Sequence, residues 1–125
     1  MRTKKRQFGD WGEGQAASFL KKKGYTIIAT NYTTRNGEID IIAWHQKPNG
    51  NTLCFVEVKT RRGEAGSAER ATNYKKIERM KTAALQYAQK ENINVDTVHT
   101  QFEHVSVYVN ANDKITLDHY EIPML

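Results

Sequence analysis

The stretch FVEVKTR, residues 55 to 61, constrains this chain more than any other. Phe55, Val56 and Val58 read as a buried strand, and Cys54 extends the apolar run. A strand puts residues i and i+2 on one face, about 7 Å apart. Cys54, Val56 and Val58 therefore share a core face, while Glu57 and Lys59 share the opposite one. Burying a carboxylate and an ammonium is costly unless something compensates or uses them. Any fold that accepts this strand must supply that use.

The pattern around the strand predicts a single domain over residues 1–125, with the stretch through Gln7 as a flexible basic arm. Asp10 followed by Glu13 has capping-box spacing, which predicts a helix running to about Lys23 and ended by Gly24. YTIIATN predicts a strand from Tyr25 to about Thr30. Asn36-Gly37 then signals a hairpin into a second strand, EIDIIAW. The breaker-rich HQKPNGN leads into the third strand, TLCFVEVKT, and RRGEAGS follows as a loop. A helical pattern runs from about Ala68 to Glu91, with Ile77, Met80, Ala84 and Ala88 on its apolar stripe. FEHVSVYV and ITLDHYEI are the last strands, the former with Val105, Val107 and Val109 on one face. The order α-β-β-β-α-β-β predicts the α/β class, a mixed central sheet of about five strands flanked by helices.

Composition narrows the partners. The net charge of +5 and pI near 9.4 favour an anionic partner, nucleic acid first and a membrane surface second. Ordinary solubility would account for the same charge. The single cysteine, Cys54, excludes an internal disulfide and a zinc cluster, and it fits a reducing, cytoplasmic setting. His45, His99, His104 and His119 have no metal-binding spacing. No apolar run has the length of a membrane span, and the basic start does not read as a signal peptide.

Three acids stand where strand and helix patterns expect apolar residues. Asp40 lies between Ile39 and Ile41, although Asp is depleted in strands. If the second and third strands pair through HQKPNGN, Asp40 and Glu57 converge at one end of the sheet. Two close carboxylates repel, and a hard divalent cation relieves that repulsion. Glu13 lies nearly in line with Leu20 on the sheet-facing stripe of the first helix, within reach of the same cation. Each acid has a plainer reading. Glu13 completes the capping box, Asp40 pairs with Arg35, and Glu57 with Lys59 forms a surface ion pair. All three plain readings must hold together to dismiss the site. The chemistry these residues support is phosphodiester hydrolysis. Asp40 and Glu57 would hold Mg²⁺ or Mn²⁺, and Lys59 would orient the attacking water or stabilise transition-state charge.

GEID at 37–40 followed by EVK at 57–59 resembles the PD-(D/E)xK nuclease superfamily. With GEGQAASFLKKKGYTIIATNY, RNGEIDIIAW, FVEVKTRR and GSAERATNYKKIERM, the chain resembles the bacterial UPF0102 (YraN-like) family, related to Holliday junction resolvases. The resemblance implies a restriction-endonuclease-like core, a divalent cation and a nucleic-acid substrate. It assigns the active site to Glu13, Asp40, Glu57 and Lys59, with Glu13, Asp40 and Glu57 toward the metal. Lys76 aligns with the lysine that opens the family's second long helix and reaches either the site, a phosphate or solvent. Glu103 stands where the family usually carries Asp, which puts that residue's role in question.

The expected substrate is DNA, including branched DNA, held by Arg61, Arg62, Lys75, Lys76 and Arg79 around the glycine-containing loop. Trp11 and Tyr74 are candidates for stacking on bases, with core packing the stronger expectation for Trp11. Cleavage of a junction would call for a homodimer, because two sites must act together. The other readings are a nucleic-acid-binding module with little or no cleavage, and an adaptor whose charges are surface decoration.

Overall fold

The computed structural model describes residues 2–48, 50–65 and 74–123. The elements run α1 (Lys4–Lys22), β1 (Tyr25–Thr34), β2 (Gly37–Lys47), β3 (Gly50–Arg62), α2 (Tyr74–Lys90), β4 (His99–Val109) and β5 (Ile115–Glu121). The five strands form one mixed sheet in the order β1-β2-β3-β4-β5. Neighbours are antiparallel except β3 and β4, which run parallel and are joined by the α2 crossover. This is the α/β order expected from the sequence.

Helix α1 starts earlier than the capping-box spacing suggests. Thr3 is the N-cap, its hydroxyl accepting from the Arg6 N–H, so residues 4 to 7 form the first turn and are not part of an arm. Asp10 sits inside the helix and pairs with Arg2 and Arg6. The helix ends at Gly24, whose φ of 92° only glycine adopts freely. The start expected for α2 at about Ala68 lies outside the described residues.

Each face of the sheet has its own core. Ala16 and Leu20 of α1 pack with Ile41, Ala43, Cys54, Val56, Val105 and Val107. Ala83, Ala84 and Tyr87 of α2 pack with Ile39, Ile42, Leu53 and Phe55. β3 is therefore covered on both sides, which explains its near-continuous apolar run. Among the described residues no helix is long and apolar enough to cross a membrane.

Two glycines set how closely the helices approach. A Cβ on Gly12 would lie 1.8 Å from the Thr60 Oγ1, so only glycine lets α1 rest on β3 there. A Cβ on Gly37 would lie 2.7 Å from the Arg79 carbonyl oxygen, so the β1–β2 turn meets α2 by the same device. Gly14, two positions past Gly12, has nothing within 4 Å.

Glu103 ties the start of β1 to β4 and β5. It is fully buried and accepts from the Tyr25 hydroxyl at 2.8 Å and from Gln101 at 2.9 Å, with His119 Nε2 at 2.6 Å. Burial by itself would raise its pKa. The hydrogen bonds from His119, Cys54 and Tyr25 outweigh that and hold it below the ordinary carboxylate value. Glu103 thus has a structural role.

Two outcomes follow from these contacts. Gly14→Ala should stabilise the protein by about 0.5–1 kcal/mol in urea melts, whereas Gly12→Ala should lose about 1–3 kcal/mol despite the same helix propensity gain. Because the folded pKa of Glu103 is depressed, its contribution is complete above its ordinary value of 4.5 and is lost as pH falls through the lower folded value. Glu103→Gln should therefore melt below wild type at pH 7, with the gap closing as pH drops beneath 4.5.

Candidate active site

The charged end of the sheet forms where β2 and β3 part. Their antiparallel register runs from Lys47–Gly50 to Ile41–Val56 and stops there. Past that point β2 stays paired with β1 and β3 with β4. The Val58 N–H, no longer facing a β2 carbonyl, donates to the Asp40 Oδ2 at 2.7 Å. This places Asp40 between the strands rather than beside Arg35, which lies exposed along a neighbouring cleft.

Burial raises the Asp40 pKa to about 7, with the Val58 N–H opposing the rise and the charges of Glu13, Glu38 and Glu57 adding to it. Glu13 follows Gly12 on α1, so the close approach at Thr60 carries it toward Asp40. Its Oε1 is buried without a hydrogen-bond partner, and burial followed by repulsion from Asp10 raises its pKa. Glu57 is buried on the face covered by α2. Its Oε1 lies 2.5 Å from the Lys76 Nζ, while Oε2 has no hydrogen-bond partner. Glu57 is thus not in a surface pair with Lys59. Lys59 is half-buried, and burial followed by the nearby Lys76 charge lowers its pKa.

The structure brings Asp40, Glu57 and Lys59 to one end of the sheet and carries Glu13 close enough for its charge to act on Asp40. Among the described residues no three acidic, histidine or cysteine side chains converge into a preformed metal cage. The donor set still suits a hard cation. Asp40 and Glu57 offer carboxylate oxygens, Glu13 and Glu57 each keep a buried unpartnered oxygen, and the Lys76 ammonium already occupies a cation position on Glu57.

The basic residues fall into two groups. Lys75, Lys76 and Arg79 line an open cleft of about 840 Å³ between α2 and the β1–β2 turn. Thr33, Thr34 and Arg35 line its other side, and of these sequence reasoning considered Arg35 only as a partner for Asp40. Arg61 and Arg62 are exposed and do not line that cleft; the Arg62 guanidinium instead lies over the Phe8 ring. Tyr74 is exposed at the start of α2, and Trp11, expected in the core, is 37% exposed. Sequence reasoning also passed over His104 and Ser106, which stand in register beside Glu57 and Lys59 on β4 and hydrogen-bond each other at 2.7 Å. Only the parallel pairing of β3 with β4 reveals them.

These features define an α/β domain with a carboxylate–lysine site at the parting of two central strands, beside a basic cleft. Residues 12–107 match the uncharacterised protein family UPF0102, and the chain belongs to that family. A UPF0102 protein of Alkaliphilus metalliredigens is 40% identical over 112 residues, covering 88% of this chain and 92% of the relative. One of Alkaliphilus oremlandii is 38% identical over 117 residues, covering 93% and 96%. One of Desulfosudis oleivorans is 47% identical over 88 residues, covering 70% and 68%.

The pKa of Asp40 gives a direct check on the site. A carboxyl raised from 3.8 to about 7 costs the folded state progressively as pH rises between those values. In metal-free buffer Asp40→Asn should melt above wild type at pH 8. The difference should fall to near zero at pH 4, as read by thermal denaturation across pH.

Proposed function

We propose that this chain is a metal-dependent endonuclease that hydrolyses phosphodiester bonds in DNA on a restriction-endonuclease-like core. The observation that carries the reading is the Asp40–Glu57–Lys59 set at the parting of β2 and β3, with its repelled, under-compensated carboxylates. Sites with strongly shifted carboxylates beside a cleft are where ligands act. Mg²⁺, or Mn²⁺ in its place, would polarise the scissile phosphate and lower the pKa of a bound water.

The chain's own residues do the rest. Asp40 and Glu57 would hold the cation with their carboxylate oxygens, and the Val58 N–H fixes the orientation of Asp40. Glu13 adds a third negative charge from α1. Lys59 lies beside the Glu57–Lys76 pair and supplies positive charge to the phosphate as negative charge builds in the transition state. Lys76 pairs with Glu57 and also lines the cleft with Lys75, Arg79 and Arg35, where its ammonium could meet a phosphate. The basic residues of the cleft suit contacts to the phosphate backbone, so recognition is expected through the backbone and the shape of the DNA. Branched DNA fits this mode and calls for a homodimer with paired sites.

The Lys76 ammonium on Glu57 and the lack of a three-carboxylate cage among the described residues favour one other reading, a nucleic-acid-binding module with little or no cleavage. Cleavage of single-stranded, duplex and four-way-junction DNA in Mg²⁺, Mn²⁺ or EDTA separates the two. On the nuclease reading, EDTA abolishes cutting and Glu57→Ala lowers it by about 10²-fold or more with DNA binding retained. Cutting unaffected by Glu57→Ala would sink the mechanism, and tight binding with no cutting would establish the binding module.

A further inference from the structure

We propose that the N-terminal part of α1 and the end of β3 form a stacking site for an unpaired nucleobase. This rests on the nucleic-acid reading above and names its substrate class, nucleic acid with single-stranded nucleotides. The site is a pocket of about 290 Å³ bordered by Phe8, Trp11, Arg62, Val109, Asp113 and Ile115. Trp11 and Ile115 leave 37% and 41% of their surface exposed there.

The pocket suits a flat ring. Phe8 and Trp11 are one turn apart on α1, with centroids 5.8 Å apart and planes within 9°. The Arg62 guanidinium lies 4.6 Å from the Phe8 centroid. The two aromatic planes are therefore parallel, and Phe8 is held from a second element. A third planar ring can join such a stack at little ordering cost.

The charges select the occupant. The pocket is lined by one base, Arg62, and one acid, Asp113, a balance that favours an uncharged ring over a phosphate. Lys4 and Lys5, both exposed, lie one turn before Phe8 on the same helix and suit the flanking phosphates. An anionic membrane would also meet these lysines, but its headgroups would be repelled by Asp113. Arg62 lies on the same strand as Glu57, five positions on, or roughly 16 Å away. One oligonucleotide can span both places. Phe8, Trp11, Asp113 and Ile115 all lie outside the span matched by the family, 12–107.

Fluorescence anisotropy in EDTA tests this on the whole chain. The probes are a labelled single-stranded oligonucleotide, its blunt duplex, and the same single strand with abasic sites. Trp11→Ala should weaken single-strand binding about 10-fold and duplex binding less than about twofold, while Trp11→Phe restores most of the loss. The abasic strand should bind wild type about 10-fold more weakly than the intact strand, with little further loss in Trp11→Ala. Equal losses on single strand and duplex would overturn the stacking site. So would an abasic strand that binds like the intact one, or a Trp11→Ala change felt only by anionic phosphatidylglycerol vesicles. Single-strand binding that depends on Trp11 without any cleavage would keep this site and remove the nuclease reading. Cleavage with single-strand binding indifferent to Trp11→Ala would do the reverse.

Discussion

Where β2 and β3 part, the Val58 N–H finds its partner in the Asp40 carboxylate at 2.7 Å. A buried backbone N–H that loses its sheet partner must find another acceptor. A carboxylate meets that need and keeps a second oxygen for other work. The cost is a charge among other charges, visible in an Asp40 pKa raised to about 7 by burial and by neighbouring acids. The strands cannot close beyond Ile41 and Val56 without displacing Asp40 from this place. Gly12 and Gly37 then let α1 and α2 close in from either side of the opening, carrying Glu13 and Lys76 with them.

The buried acids of the sheet behave differently for a physical reason. Glu103 is completely buried, yet Tyr25, Gln101 and His119 surround its oxygens, and its pKa falls. Asp40 is buried with one backbone N–H for compensation and three carboxylates nearby, and its pKa rises. Glu103 is thus compensated and structural. Asp40 and Glu13 are under-compensated, and such groups gain most from a bound cation.

Much of the site was legible because strand alternation is a local property. Glu57 and Lys59 had to share a face, and Asp40 had to sit among apolar neighbours, whatever the rest of the chain did. The start of α1 was misread at Asp10, because the capping-box spacing there is occupied by ion pairs to Arg2 and Arg6 inside the helix. Lys76 was placed near the site, but its pairing with Glu57 was not. The places of Arg35, His104 and Ser106 are not legible locally, since they depend on how distant strands line up. Trp11 was expected in the core because large aromatic residues usually go there. The helix turns it toward Phe8 and the rim of a pocket instead.

The sequence by itself determined the order of the elements, the two-faced character of β3 and the set of acids and bases that cannot be ordinary core. Those follow from side-chain periodicity and turn chemistry, which act over a few residues. The tertiary structure decided which of these groups meet. The parallel pairing of β3 with β4 requires the α2 crossover, and only that crossover brings Lys76 onto Glu57. The close contacts at Gly12 and Gly37 set the depth of both helices, and with it the field around Asp40. Such distances depend on packing between segments far apart in the chain, which no local pattern encodes.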